Sequence, residues 1–177
     1  AGLECALALG KRGYRVILAE ELEELGGRVS RESNLPGLAE WGRVRDHRVV
    51  MLEKLKNVTF YLGSSLSPED ILEFSADDKF GFSHVFLATG ATWRRDGIAR
   101  ENREPIPGLE YVSVLTADDL MVGVSAHGKV VIFDDEHYYM GGVLAEKLRL
   151  NGHDVRLVTP APDISTWTHN TMEQGRI

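Results

Sequence analysis

Short apolar runs alternate along this chain with stretches in which apolar residues recur every three or four positions. The runs suit strands buried in a sheet, and the periodic stretches suit helices packed on it. The opening stretch, AGLECALALGKRGYRVILAEELEELGGRV, predicts a helix, a tight turn at Gly13 and a buried strand over 15–19 that leads into an acid, Glu20. Gly26 and Gly27 follow after a short connection. Pro36 and Gly37 mark a turn, and 39–56 predicts a helix with Trp41, Val44, Leu52 and Leu55 among its apolar positions. Residues 58–62 predict a short strand. Ser67-Pro68-Glu69-Asp70 opens a helix ending near Phe74, with a cap residue, a proline and early acids. A polar turn is expected over 77–81, and then 84–88 (HVFLA) reads as a fully apolar buried strand entering Thr89-Gly90-Ala91.

The second half continues the alternation. Pro105-Ile106-Pro107-Gly108 is a rigid turn, placed as a crossing point between subdomains. Thr116-Ala117-Asp118-Asp119 caps a short helix ending near Gly123. A strand over 129–133, a helix over 139–150 and a strand over 155–158 follow, and 165–177 looks like the start of a further helix. The expected fold is α/β and Rossmann-like, of the FAD/NAD(P)-binding kind, with a central parallel sheet and flanking helices. Residues 1–91 form an ADP/FAD-type subdomain in this reading, 92–123 a connecting segment, and 124–177 the start of a second, degenerate NAD(P)-type subdomain.

Helix, strand and acid at the start match the second half of a dinucleotide-binding unit. In the full unit a Gly-rich turn opens the helix, and an acid about 20 residues on takes the ribose hydroxyls. Gly2 fits the third glycine, which lets helix and strand pack closely. The first strand and first two glycines are absent, so the chain reads as truncated at both ends. A pyrophosphate suits the amino end of a helix, here at Ala1 and Gly2. The Glu20 carboxylate can accept from both adenosine ribose hydroxyls and would repel a 2′-phosphate, which disfavours NADP. Gly26-Gly27 allows backbone to approach a phosphate or flavin. Thr89-Gly90 places small residues where the chain crosses beside a dinucleotide. Gly2, Glu20, Glu21, Gly26, Gly27, Arg28, Thr89 and Gly90 are therefore the candidate cofactor-binding residues. The competing reading is an ordinary strand–helix–strand unit with a surface glutamate.

The unit over 129–158 has the topology for a nicotinamide nucleotide, but its turn argues against one. Asp134, Asp135 and Glu136 would repel a pyrophosphate, and Tyr138 and Tyr139 would block close backbone approach. Thr159-Pro160 offers no acid for a ribose. No ligand spacing among the acids supports a metal, and His137 reads as a turn residue. Arg43, Arg45, His47 and Arg48 make 39–56 locally basic, which reads as a solvated face ahead of a contact with a ligand's phosphates or a neighbouring domain. No residue stands out as catalytic.

Composition narrows the partners. The chain has 177 residues, 43% of them hydrophobic, enough for a core and about one domain. A net charge of −7 argues against nucleic acid. The single cysteine, Cys5, can form no internal disulfide and reads as a core residue. No apolar run approaches membrane-spanning length and no signal peptide is visible, so a cytoplasmic protein without membrane contact is the default.

The order of motifs resembles the C-terminal nucleotide-binding region of the trimethylamine, dimethylamine and histamine dehydrogenase group, within the NADH:flavin oxidoreductase and 2,4-dienoyl-CoA reductase family. AGLE…GYRVILAE…LGGRV, LPGLAEWGRVRDHR, FLATGATWRRDG, PIPG, VVIFDDEHYYMGGVLAEKL and GHDVRLVT carry the resemblance, which covers nearly the whole chain. It implies a multidomain oxidoreductase acting on amines. An N-terminal (β/α)8 barrel would hold covalent FMN, a 4Fe–4S cluster and the substrate, and would pass electrons to an electron-transferring flavoprotein. The C-terminal region would hold ADP where the wider family holds FAD, with Gly2 and Glu20 as matched contacts. The isolated piece would be inactive, and its exposed edges and apolar surface point to a homodimer. Two other readings stay open: a piece of an FAD- and NADH-dependent reductase of the dienoyl-CoA reductase type, and a ligand-free packing domain.

Overall fold

A computed structural model describes residues 1–76 and 81–177, so the polar turn expected over 77–81 lies almost wholly outside the described residues. The chain divides into two compact units, one of residues 1–33 and 40–91, the other of residues 34–39 and 92–177. Each is mixed α/β with a small parallel sheet and flanking helices.

The first unit contains α1 (Gly2–Lys11), β1 (Val16–Ala19), α2 (Arg28–Glu32), α3 (Gly42–Glu53), β2 (Val58–Tyr61) and α4 (Pro68–Ala76). β1 and β2 pair in parallel, from Val16 opposite Val58 to Ala19 opposite Tyr61. The core is Ala6 and Leu7 of α1, Leu52 of α3 and Val58 of β2, with Leu3, Val16, Leu18, Met51, Leu55 and Phe60 around it. Spacings of three and four along α1 put Leu3, Leu7 and Gly10 on one face. Gly10 is needed there, because a Cβ would lie 2.8 Å from both Leu55 Cδ1 and Val58 Cγ2. The Asn57 side-chain amide donates to the carbonyls of Gly10 (2.9 Å) and Tyr14 (2.6 Å), tying the end of α1 to the start of β2.

Two sequence expectations change here. The helix expected over 39–56 is a 3-10 turn, Ala39–Trp41, followed by α3, and only Gly42 and Leu52 of α3 are buried. Val44 and Val50 face outward, about half exposed, because α3 packs on α1 along a narrow stripe. The strand expected over 84–88 does not form: the segment has no regular structure, and Leu87 is 80% exposed. A strand needs a ladder partner, and among the described residues the ladders join only β1 with β2 and β3 with β4, leaving 84–88 without one.

The second unit contains α5 (Ala117–Met121), β3 (Lys129–Phe133), α6 (Met140–Leu150) and β4 (Asp154–Val158). β3 and β4 pair in parallel, from Lys129 opposite Asp154 to Phe133 opposite Val158. Among the described residues the parallel strands thus form two small sheets, one in each unit. α6 buries Met140, Gly141, Leu144 and Leu148 at helical spacing. Thr116 and Asp119 form a reciprocal cap on α5, the Thr116 amide donating to Asp119 Oδ2 at 2.7 Å. Residues 92–123 lie within this unit: the Trp93 amide reaches Asp118 Oδ2 at 2.8 Å, and Arg95 pairs with Asp119 at 2.5 Å. The helix start expected over 165–177 is instead two 3-10 turns, Thr166–Thr171 and Gln174–Arg176.

Candidate functional site

The carboxyl end of β1 delivers Glu20 to a fixed position. Its amide donates to the Tyr61 carbonyl (2.9 Å), and its carbonyl accepts from Ser64 (2.8 Å), so the residue is pinned on both sides by the chain leaving β2. The residue is half-buried, and its Oε1 accepts from the Leu22 amide at 3.2 Å in an exposed hydrogen bond. One carboxylate oxygen is thereby oriented and lone pairs remain for hydroxyl donors. Glu21, next along, is exposed.

Gly26 and Gly27 turn the chain into α2 with backbone angles that L-residues avoid: φ is 118° and 54°. Gly27 combines that φ with ψ of −121° and has open space where a Cβ would stand. At Gly26 a Cβ would meet Arg45 Cδ and Ser30 Oγ at 2.5 Å. Arg45, read from sequence as part of a solvated face, instead crosses to this turn and bonds Glu24 and Ser30 Oγ (2.8 Å to the latter). Arg48 likewise reaches Glu4 of α1 at 2.6 Å. The signal missed was the acid run Glu21 to Glu24 (bar Leu22), whose neutralisation needs arginines from another element. Arg28 is exposed and paired with the buried Glu32 one turn on.

A second cluster forms at the amino end of α1. A Cβ on Gly2 would lie 3.3 Å from Ala88 Cβ, so the segment leading into Thr89 and Gly90 passes directly beside this helix end. Thr89 and Gly90 are exposed, and Gly90 has φ of 79°.

The connection from β3 to α6 is built from its own carboxylates. Asp134, held by its amide on the Val158 carbonyl (2.8 Å), accepts at Oδ1 from the amides of Glu136 (3.1 Å) and His137 (3.4 Å). Glu136 Oε2 accepts from the amides of Tyr138 (2.9 Å) and Met140 (3.4 Å). Gly141 has no Cβ because one would fall 2.6 Å from Asp134 Cγ. The first amide of α6, where an anion would sit, is thus already served by Glu136, and Asp134 takes the amides of the turn before it.

His137 is not the plain turn residue its sequence suggested. It is 2% exposed, at φ of 66°, with Nε2 3.0 Å from Asp135 Oδ1 and 3.6 Å from Glu101 Oε1. Its Nδ1 lies 3.3 Å from Thr159 Oγ1, and its carbonyl accepts from the Trp167 amide at 2.9 Å. Asp135 Oδ2 accepts from the amides of Glu101 (2.7 Å) and Asn102 (3.2 Å). Burial pushes the Asp135 carboxyl up, but those amides and His137 together outweigh it and hold it below its ordinary value. Asp135 and His137 were visible in sequence as neighbours two apart. Glu101 was not, because only the fold brings that distant loop to the turn.

No family model matches the chain. It is 41% identical over 166 residues to dimethylamine dehydrogenase of Hyphomicrobium sp. (strain x), a match covering 90% of this chain and 22% of that protein. Its structure superposes on histamine dehydrogenase from Rhizobium sp. 4-9 with a TM-score of 0.93 and 48% identity, covering 99% of this chain and 27% of the other. The 6-hydroxypseudooxynicotine amine oxidase of Pseudomonas geniculata N1 gives 0.91 and 44%, covering 98% and 25%. The chain spans about a quarter of the length of each of these relatives. Among the described residues no helix is long and apolar enough to cross a membrane.

Proposed function

We propose that this chain, a homologue of the trimethylamine dehydrogenase-type amine dehydrogenases, is the nucleotide-holding region of such an enzyme, binding ADP or the ADP half of FAD in its first unit. The observation that carries the proposal is Glu20: a half-buried acidic residue at the carboxyl end of a parallel strand, pinned by backbone bonds on both sides. The adenosine ribose would lie against it, with its hydroxyls donating to the carboxylate. Gly26 and Gly27 would border the ligand where a side chain could not be tolerated. Gly2 and the Thr89-Gly90 segment, which meet at the amino end of α1, would face the phosphates.

The rest of the reading concerns a longer protein. There a barrel domain would carry FMN, a 4Fe–4S cluster and the amine, and electrons would leave to an electron-transferring flavoprotein. The role of this chain's residues in that setting is to bind and orient, and none of them is assigned to a bond-making step. The second unit supports the amine-dehydrogenase reading over an NADH-using reductase. A nicotinamide nucleotide would have to displace Asp134 and Glu136 from the amides of the β3–α6 turn, and Glu136 from the first amide of α6, and place its phosphates beside three acids.

The test is to denature the purified protein and identify the released nucleotide by mass spectrometry and absorbance. ADP without flavin is the expected result. FAD would favour the reductase reading. If none is released and ADP does not bind on titration, the packing-domain reading replaces this one.

A further inference from the structure

We propose that Glu101, Asp135 and His137 form a divalent-cation site in the second unit, with zinc as the best-fitting ion. One oxygen of each carboxylate and one imidazole nitrogen lie within 4.8 Å of one another. Three ligands of a tetrahedral zinc, with bonds of about 2.0–2.1 Å, stand roughly 3.3 Å apart. The spacings from His137 Nε2, 3.0 Å to Asp135 Oδ1 and 3.6 Å to Glu101 Oε1, bracket that value.

Clustered acids alone would carry no such conclusion. The independent observation is that Asp135 Oδ1 and His137 Nε2 are both fully buried and neither makes a hydrogen bond of acceptable geometry. Their side chains are 1% and 3% exposed. The two face each other at 3.0 Å without an aligned hydrogen bond between them, and buried polar atoms left poorly satisfied are costly. A cation between them would satisfy both, and Glu101, 57% exposed at its side chain, would close the third position while leaving an open side for water.

The surroundings hold these donors as ligands are usually held. The second oxygen of Asp135 is fixed by the Glu101 and Asn102 amides, and His137 Nδ1 lies against Thr159 Oγ1. Outer contacts of this kind set the orientation of a metal-bound carboxylate or imidazole. The donor set also selects the ion. Calcium and magnesium prefer six or more oxygens, whereas one nitrogen and two carboxylates suit zinc or a similar transition metal. The site is independent of the nucleotide reading and sits in the other unit. Its effect would be to fasten the 97–106 loop to the β3–α6 turn.

The experiment strips the chain with chelator, then titrates it with zinc by calorimetry and with cobalt(II) by visible absorption. One equivalent should bind with micromolar affinity or better, and cobalt should give tetrahedral ligand-field bands. Glu101→Gln alters an exposed carboxylate, leaves the fold intact, and should weaken binding about tenfold or more. His137→Gln should abolish the cobalt bands, and His169→Gln, on an exposed histidine, should change nothing. Absence of saturable binding would overturn the proposal. So would binding that survives Glu101→Gln unchanged in a chain whose circular dichroism is native, since Glu101→Gln stays interpretable even where His137→Gln fails to fold.

Discussion

Replacing Glu20 by Gln tests the nucleotide site at its most constrained residue. The backbone on either side is held by bonds of 2.9 and 2.8 Å, so the loop cannot shift to compensate. One carboxylate oxygen accepts from Leu22, and a glutamine can keep that bond with its carbonyl oxygen. Its NH2 group then faces the ribose, where the ionised oxygen had accepted. A hydrogen bond to a charged acceptor contributes about 1.5–3 kcal/mol, so ADP affinity should fall roughly 10- to 150-fold at 1.4 kcal/mol per decade. Isothermal titration with ADP, alongside adenosine 2′,5′-bisphosphate, measures both parts of the argument. Wild-type chain should prefer ADP, because the carboxylate repels a 2′-phosphate. Glu20→Arg should reverse that preference. A Glu20→Gln chain that binds ADP within twofold of wild type, with an unchanged circular-dichroism spectrum, would refute the assignment of Glu20 to the ribose.

The remaining predictions concern the scaffold. Leu52→Ala removes the fully buried side chain at the centre of the first unit and should cost about 2–5 kcal/mol in urea unfolding, whereas Val50→Ala on the exposed side of the same helix should stay within about 0.5 kcal/mol. Gly27→Ala meets no atoms but forces an alanine to φ of 54° and ψ of −121°, so a loss of about 1–3 kcal/mol is expected with no change in the core; Gly175→Ala, without that constraint, should be neutral. Thr116→Ala breaks the reciprocal cap on α5 and should cost about 1 kcal/mol by thermal melting. The Asp119 carboxyl in that cap is held below 3.8, chiefly by the Thr116 amide and then by Arg95. Its folded-state value is depressed, so its contribution is present above the unfolded value and is lost as pH falls through the folded one. Asp119→Asn should therefore be less stable than wild type at neutral pH, and the gap should narrow as pH falls below about 3.8 and close below the depressed folded-state value.

Much of the secondary structure was legible because it rests on local chemistry. The alternating apolar runs gave β1, β2, β3 and β4 within a residue of their bounds, and Thr116 with Asp119 announced the α5 cap. Glu20 could be placed at a strand end because a buried strand and the acid that follows it are contiguous in sequence. The acids of the β3–α6 turn are contiguous in sequence, so the concentration of negative charge there was legible without help from the fold. What sequence could not supply was pairing over distance. The 84–88 run has the composition of a strand, yet without a ladder partner it stays irregular and exposed. Arg45 could be read as solvent-facing until α3 set it against the Gly26 turn. The convergence of Glu101 on Asp135 and His137 depends on a loop 34 residues away folding back, and on burial that strips those donors of water. Composition and periodicity report what each segment prefers to bury. Only the tertiary structure decides which buried atoms find partners, because that depends on contacts between residues that the chain does not place side by side.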